Sequence, residues 1–112
     1  MTFFRVFSDD EGVSRFETSS MNESSLFEPA ETEGSFFLKR FPAGTEMDWH
    51  TAPRKMYVIS LQGVLENEFR DGTRILLAPG DIKYIEDTTG TGHRTRVTSD
   101  EDVIVAIVPR PS

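Results

Sequence analysis

The chain has 112 residues, of which 37% are hydrophobic, and this suffices for one modest core within a single domain. It contains no cysteine and no run of about 20 apolar residues, which excludes disulfides, thiolate chemistry and a membrane-spanning helix. The net charge is −7, and since an acidic surface repels phosphate backbones, nucleic acid is not an expected partner.

The chain opens on a short apolar run. Residues 3–7 predict a strand, and residues 8–12 have the composition of a turn. The start lacks the basic lead and the small-residue cleavage site of a secretory signal. We therefore expect a cytoplasmic protein.

Most of the net charge lies near this end of the chain. Residues 1–33 hold eight acidic and two basic residues, a balance of −6, whereas residues 34–112 hold eleven acidic and ten basic residues, a balance of −1. Residues 18–34 lack a clear period and are rich in serine, threonine and glutamate. We expect an irregular acidic arm here, which packs Leu26 and Phe27 on the rest of the domain.

From residue 35 onward, apolar and polar residues alternate, and turn signals recur at the spacing that is typical of an all-β sandwich or barrel. Asp71 and Gly72 are the strongest hairpin signal, because both tolerate the positive φ of tight turns. No segment has a convincing helical period. The predicted strands of this part cover residues 36–41, 56–61, 64–70, 74–78, 82–86, 93–98 and 103–108.

So many short strands in a small chain predict a closed antiparallel barrel, since an open sheet would expose long edges. We predict that residues 35–112 form this barrel and that residues 1–34 pack on it, within one domain. A barrel of this strand count encloses at most one small ligand, so a small molecule is the expected partner. Residues 103–108 are apolar on both faces, which predicts that a second layer or a second subunit covers the outer one, and favours a homodimer.

Two glycine-bounded motifs give this pattern a family resemblance. In the first, five residues separate Gly44 from His50, and Gly63 closes the motif. In the second, Gly80 opens the motif and a Gly-x-x-His sequence ends it at His93. Together they resemble the paired motifs of the cupin family. The resemblance implies a jelly roll, or double-stranded β-helix, with little or no helix. The phrases DWHTAPR and EDTTGTGHR, which contain the two histidines, resemble one subgroup of small single-domain cupins.

The resemblance also implies which residues to examine as metal ligands. In metal-dependent cupins, two histidines and a glutamate of the first motif and the histidine of the second bind Fe, Mn, Ni or Zn. This sequence keeps His50 and His93, but it has Ala52 and Met56 in place of the other two ligands. Two imidazoles fall short of the three protein ligands that a catalytic zinc usually has. A metal site at His50 and His93 would need a carboxylate, for which the nearby candidates are Asp48, Glu86 and Asp87.

Without a metal, two histidines in one cavity suit acid–base catalysis, because an imidazole exchanges protons near neutral pH. Asp87 is the carboxylate that we expect to orient His93, so the predicted catalytic residues are His50, His93 and Asp87. The reaction class would be an isomerase, lyase or dehydratase step on a small carbonyl or carboxylate compound. Three alternatives stay open: a metal-dependent oxygenase, a non-catalytic ligand-binding barrel, and a structural dimer with a filled cavity.

Three further residues are candidate ligand contacts: Met56, Tyr84 and Trp49. Packing is the alternative role for Tyr84, and interface packing is the alternative for Trp49, which alternates with His50 and would face away from it. The same strand parity would point Asp48 inward with His50. A cationic rim for an acidic ligand would come from Lys83, Arg94 and Arg96, although parity turns both arginines outward from His93.

Overall fold

The structure is a computed structural model that describes residues 1–20 and 34–111. Within these ranges the chain forms ten strands and no helix. The strands are β1 (Thr2–Ser8), β2 (Ser14–Ser20), β3 (Phe37–Phe41), β4 (Glu46–His50), β5 (Met56–Gln62), β6 (Leu65–Glu68), β7 (Arg74–Leu77), β8 (Ile82–Ile85), β9 (His93–Val97) and β10 (Val103–Pro109).

These strands form two sheets in a jelly-roll arrangement. One sheet has six strands in the order β2-β1-β8-β5-β10-β3, and the other has four in the order β4-β9-β6-β7. Neighbouring strands are antiparallel, except that β1 and β8 pair in parallel. The predicted all-β class is therefore confirmed, and the first strand of the chain lies beside a strand that comes about 80 residues later.

Strand β9 illustrates how the alternation of the sequence sets the two faces. Its residues are alternately buried and exposed, and the buried face begins at His93. On the exposed face, Arg94 donates to Glu68 at 2.7 Å and Arg96 donates to Glu66 at 2.8 Å, both across the β6–β9 pair. The outward direction predicted for the two arginines is correct, and they are held in ion pairs on the surface of the small sheet.

The described part of the N-terminal region contains a strand that the sequence did not predict. Strand β2 pairs along its full length with β1, so residues 18–20 belong to a strand and not to an irregular arm. Phe16 is its only apolar residue, and the other six are polar or charged, so the alternation of the sequence does not identify it as a strand. The predicted contacts of Leu26 and Phe27 lie outside the described residues.

The core fills the space between the inner faces of the two sheets. Burying such side chains contributes about 1.5–3 kcal/mol each before the entropic cost of ordering them. Its most buried members are Val6, Phe69, Leu77, Val103 and Val105. A second, smaller cluster of Phe3, Tyr57 and Tyr84 covers the outer face of the large sheet. The described residues include no helix that is long and apolar enough to cross a membrane.

Candidate active site

His50 and His93 meet directly across the pair of strands β4 and β9. They are register partners in this pair, and their ring centroids lie 4.7 Å apart with an angle of 62° between the ring planes. His93 is buried, with 2% of its surface exposed, and His50 is half-buried. The two histidines that the sequence placed in separate motifs are therefore brought into contact.

A bulge in β4 makes this meeting possible. Met47 pairs with Thr95 and His50 pairs with His93, so three residue steps on β4 match two steps on β9. An extra residue of this kind shifts the strand's alternation by one. Met47 and His50 therefore both line the cavity, whereas Asp48 is exposed. The prediction that Asp48 points inward with His50 is wrong, because parity counting assumes an unbroken strand.

Gly92 allows the backbone of His50 to approach the start of β9 closely. A β-carbon at Gly92 would overlap the carbonyl group of His50, and the residue also has a φ of 72°, in the left-handed region that favours glycine. The glycine before His93 is thus required by the packing of one histidine segment on the other. The loop of residues 88–92 is anchored on the β1–β2 hairpin through Thr91, whose backbone N–H donates to the carbonyl of Gly12 and whose hydroxyl oxygen accepts from the backbone N–H of Ser14.

Asp87 contacts the ring of His93 at Nδ1. Its Oδ2 lies 2.7 Å from Nδ1 of His93, and Ser14 donates its hydroxyl to the same oxygen at 2.7 Å. Asp87 is fully buried, and its Oδ1 has no hydrogen-bond partner among the described residues. The expected pairing of Asp87 with His93 is present in the geometry. Ser14 was not predicted, because it lies 73 residues away in the strand that the sequence did not reveal.

The partners of the two rings define which nitrogen is free. Nδ1 of His93 faces a carboxylate, and Nδ1 of His50 lies 2.7 Å from the backbone carbonyl of Asp48. Carbonyl and ionised carboxylate oxygens only accept, so Nδ1 carries the hydrogen in both rings and Nε2 is the acceptor. Burial lowers the pKa of His93, and the bond to Asp87 opposes this shift without cancelling it. His93 is therefore a neutral imidazole at pH 7, with a basic nitrogen available.

Both rings line a cavity of about 180 Å³ between the sheets. Most of its wall is apolar and comes from strands of both sheets, and Met56 is part of it. Lys83 also lines the cavity, although the sequence placed it in a cationic rim with the arginines. On β8 the inward residues are Lys83 and Ile85, but both faces of this strand are covered, so alternation alone did not separate inside from outside.

Two of the candidate ligand contacts do not line this cavity. Tyr84 lies on the outer face of the large sheet, where its ring centroid is 5.0 Å from that of Tyr57. Trp49 stacks beneath the guanidinium groups of Arg70 and Arg94, at 3.8 Å and 5.2 Å from its ring centroid. Tyr84 is displaced because it alternates with the inward Lys83. Trp49 faces away from the cavity, as its alternation with His50 predicted.

The residues around His50 and His93 do not fit the metal site that the resemblance implied. The described residues contain no group of three histidine, aspartate or glutamate side chains that could hold an ion. Glu86 forms an ion pair with Arg5, whose Nε donates to it at 2.8 Å. Asp87 contacts Nδ1 of His93 and so lies on the side of the ring away from the free nitrogen, Nε2. The cavity wall also contains the thioethers of Met47 and Met56, which suit soft ions and not the harder divalent metals.

No protein-family model matches this sequence, and no curated protein matches it. Solved structures do match. A cupin-2 domain containing protein from Shewanella frigidimarina is 28% identical, over 67% of this chain and 69% of that chain, with a TM-score of 0.50. The DMSP lyase DddQ from Ruegeria pomeroyi is 23% identical, over 69% of this chain and 38% of that chain, with a TM-score of 0.55.

A sugar phosphate isomerase of the cupin superfamily from Silicibacter pomeroyi is 18% identical, over 69% of this chain and 50% of that chain, with a TM-score of 0.53. The matched region is thus half or less of the lyase and of the isomerase. These likenesses establish the fold, which is the cupin jelly roll, and they support the cupin superfamily.

Proposed function

We propose that this cupin-fold chain is a small-molecule enzyme that performs acid–base chemistry on a small carbonyl or carboxylate compound. The observation that carries the proposal is the pair of imidazoles at 4.7 Å, each fixed through Nδ1, at the wall of one cavity. Fixed general bases are what an isomerase, lyase or dehydratase needs. The phrases around His50 and His93 would place the chain in the subgroup of small single-domain cupins that share them.

In the proposed reaction, Nε2 of His93 removes a proton from the carbon beside a carbonyl or carboxylate group. The electron pair of the broken C–H bond moves toward that group, and the buried Asp87 stabilises the imidazolium that forms. Nε2 of His50 then takes this proton from the imidazolium of His93 and returns it to a neighbouring atom of the substrate, which is an isomerisation. If a group on the next carbon leaves instead, the step is an elimination. Both outcomes need only one proton acceptor and one donor.

Two of the solved structures are consistent with this class of chemistry. One is described as a DMSP lyase and the other as a sugar phosphate isomerase, which are elimination and isomerisation activities of those proteins. Both are below 25% identical to this chain, so the argument for chemistry here comes from His50, His93 and Asp87.

The experiment that tests the proposal does not need the natural substrate. A panel of small 2-oxo and hydroxy acids is incubated with the protein in D₂O, and loss of the α-proton signal is followed by NMR. We expect exchange above the buffer rate for at least one compound, and a loss of about 100-fold in His93→Gln, which is within the usual contribution of a general base. Tyr84→Phe is the control, because this ring lies on the outer face. Buffer-level exchange for the whole panel would contradict the proposal.

Binding without catalysis is the second candidate, and the apolar wall around Met56 and Val58 favours it. A ligand-binding barrel would hold the same compounds but leave their α-protons in place. Measuring binding and exchange on the same compounds therefore separates the two functions.

We propose that the functional form is a homodimer. Strand β10 lies between β5 and β3 in the large sheet, and its outer face adjoins Leu38 and Leu61, which are 63% and 52% exposed. Burial of such a face in a second copy would remove apolar surface from water. Light scattering at micromolar concentration should give twice the mass of one chain, and Leu38→Glu should return it to that of a monomer.

A further inference from the structure

Lys83 is a buried cation that the proposed acid–base mechanism does not use. It lies on the inward face of β8 between the register partners Phe4 on β1 and Val58 on β5, with 4% of its surface exposed. Lysine is almost never buried to this degree unless it is paired. Its position at the cavity wall raises the question of what balances its charge.

The described residues accept only part of the hydrogen bonds that the ammonium group of Lys83 can donate. Its Nζ donates one hydrogen bond of 2.8 Å to Oδ1 of Asn67, whose own Nδ2 donates to Thr95 at 2.9 Å. An ammonium group has three N–H donors, so two have no hydrogen-bond partner among the described residues. No carboxylate in the described ranges forms an ion pair with Lys83. Asp87 acts on it through its charge, but the hydrogen bonds of that carboxylate go to His93 and Ser14.

The other groups that face the cavity add no negative charge. The titratable side chains of its wall are His50, His93 and Lys83, with the exposed Lys39 at the edge, and no carboxylate is among the wall residues that the structure describes. The remaining wall is mainly aliphatic and aromatic. Such a cavity disfavours cations and favours a molecule with one anionic group and an apolar body.

We propose that Lys83 binds the carboxylate of a short aliphatic acid, whose hydrocarbon part then lies beside His50 and His93. This inference rests on the proposed function, because it names the substrate class of the same cavity. The carboxylate oxygens accept the two remaining N–H groups of Lys83, and the apolar wall takes the chain. The volume of about 180 Å³ equals about six water molecules at about 30 Å³ each, which suits an acid of about six non-hydrogen atoms.

The charge state of Lys83 gives the proposal a pH dependence. Burial lowers its pKa to about 8, and the negative charge of Asp87 opposes this shift. Only the ammonium form attracts a carboxylate, so affinity should be nearly constant from pH 6.5 to 7.5 and fall about tenfold per pH unit above pH 8. The pKa of His93 lies below its ordinary value, so titration of this imidazole does not cause the loss of affinity expected above pH 8.

Calorimetry with butyrate and with the uncharged butyramide tests the proposal on the full chain. We expect the protein at pH 7 to bind butyrate at least tenfold more tightly than butyramide. Lys83→Met should weaken butyrate binding by at least tenfold and leave butyramide binding unchanged. Lys55→Met is the matched control, because Lys55 is exposed and outside the cavity, and it should bind both ligands as the original protein does.

Equal affinity for butyrate and butyramide, no butyrate binding at 20 mM, or unchanged butyrate binding in Lys83→Met would each overturn the proposal. If Lys83→Met does not fold, the proposal is tested on the unsubstituted protein alone. Its affinity for butyrate should then fall between pH 7.5 and 9.5, and an unchanged affinity would overturn the proposal. Failure of the acid–base proposal gives a different result. In that case butyrate binding depends on Lys83, but no acid in the panel exchanges its α-proton.

Discussion

Oδ2 of Asp87 lies 2.7 Å from Nδ1 of His93, and Ser14 donates its hydroxyl to the same oxygen, so one buried carboxylate fixes the imidazole ring of His93 on its Nδ1 side, opposite Nε2. This arrangement sets the tautomer of His93, because only a hydrogen on Nδ1 satisfies the contact. Four predictions follow from this contact and from the groups around it.

Asp87→Asn should reduce α-proton exchange by at least about 100-fold while the protein stays folded. The amide group no longer stabilises an imidazolium, and its NH₂ can turn toward Nδ1 and leave the hydrogen on Nε2. The bond to Asp87 raises the pKa of His93 against the effect of burial, so its removal should move that pKa further down. Histidine proton signals followed by NMR from pH 4 to 8 measure the shift. An unchanged titration of His93 would contradict the role given to Asp87.

Ser14→Ala should lower the free energy of unfolding by about 1–3 kcal/mol, because it removes a hydrogen bond to a buried carboxylate whose other oxygen already lacks a partner among the described residues. Urea unfolding measures this loss. Ser8→Ala is a suitable control, because its hydroxyl donates to the carbonyl of Thr89 at an exposed position. A larger loss in Ser8→Ala than in Ser14→Ala would argue against the buried network.

The free energy of unfolding should rise with pH above pH 8 because of Lys83. In the unfolded chain this amine keeps its proton up to its ordinary pKa of 10.5, but in the folded protein the pKa is about 8. The unfolded state therefore binds more protons in this range, and stability increases with pH by up to about 1.4 kcal/mol per unit. Burial raises the pKa of Tyr57 and Tyr84, so these phenols stay neutral up to pH 9.5.

Urea unfolding at pH 7.5, 8.5 and 9.5 measures this slope, and Lys83→Met should abolish it. The same variant should be at least as stable as the original protein at pH 7, since it replaces a partly satisfied buried cation by an apolar side chain. A flat stability profile in the original protein would show that the amine of Lys83 is not desolvated.

Gly92→Ala should be far more damaging than Gly72→Ala. Both residues have a positive φ, of 72° and 85°, so both substitutions carry a similar backbone cost of about 1 kcal/mol. At Gly72 the added β-carbon meets nothing within 4 Å, whereas at Gly92 it overlaps the backbone of His50. We expect Gly92→Ala to lower the melting temperature by several degrees more and to separate the two histidines. Thermal unfolding and the exchange assay measure both effects, and equal losses in the two variants would contradict the close approach.

The sequence predicted the strands whose two faces differ. In β7 and β9, buried and exposed residues alternate, and Gly72 marks the turn before β7. The meeting of His50 with His93 came from the family resemblance and not from alternation. Asp87 followed from its place beside the second motif.

The misplaced residues have three physical causes. The bulge in β4 turned Asp48 outward, and a bulge leaves no mark in the alternation of a five-residue strand. Both faces of β8 are covered, so parity did not say which of Lys83 and Tyr84 is inside. Strand β2 is an edge strand of mostly polar residues that pairs along its length with β1, and its one apolar residue, Phe16, gives no alternating pattern although it packs on Phe69.

The parallel pairing of β1 with β8 also bears on how the protein is made. During synthesis Ser14 leaves the ribosome more than 70 residues before Asp87, and the contact between them closes only when nearly the whole chain is available. Strands that are far apart in the sequence pair slowly. The chain loses conformational entropy when the long loop between them closes, before the new contacts compensate for that loss. The contact of Asp87 with Ser14 would therefore form only in the late stage of folding, and a truncated chain that lacks either β1–β2 or residue 87 would have no buried carboxylate beside His93.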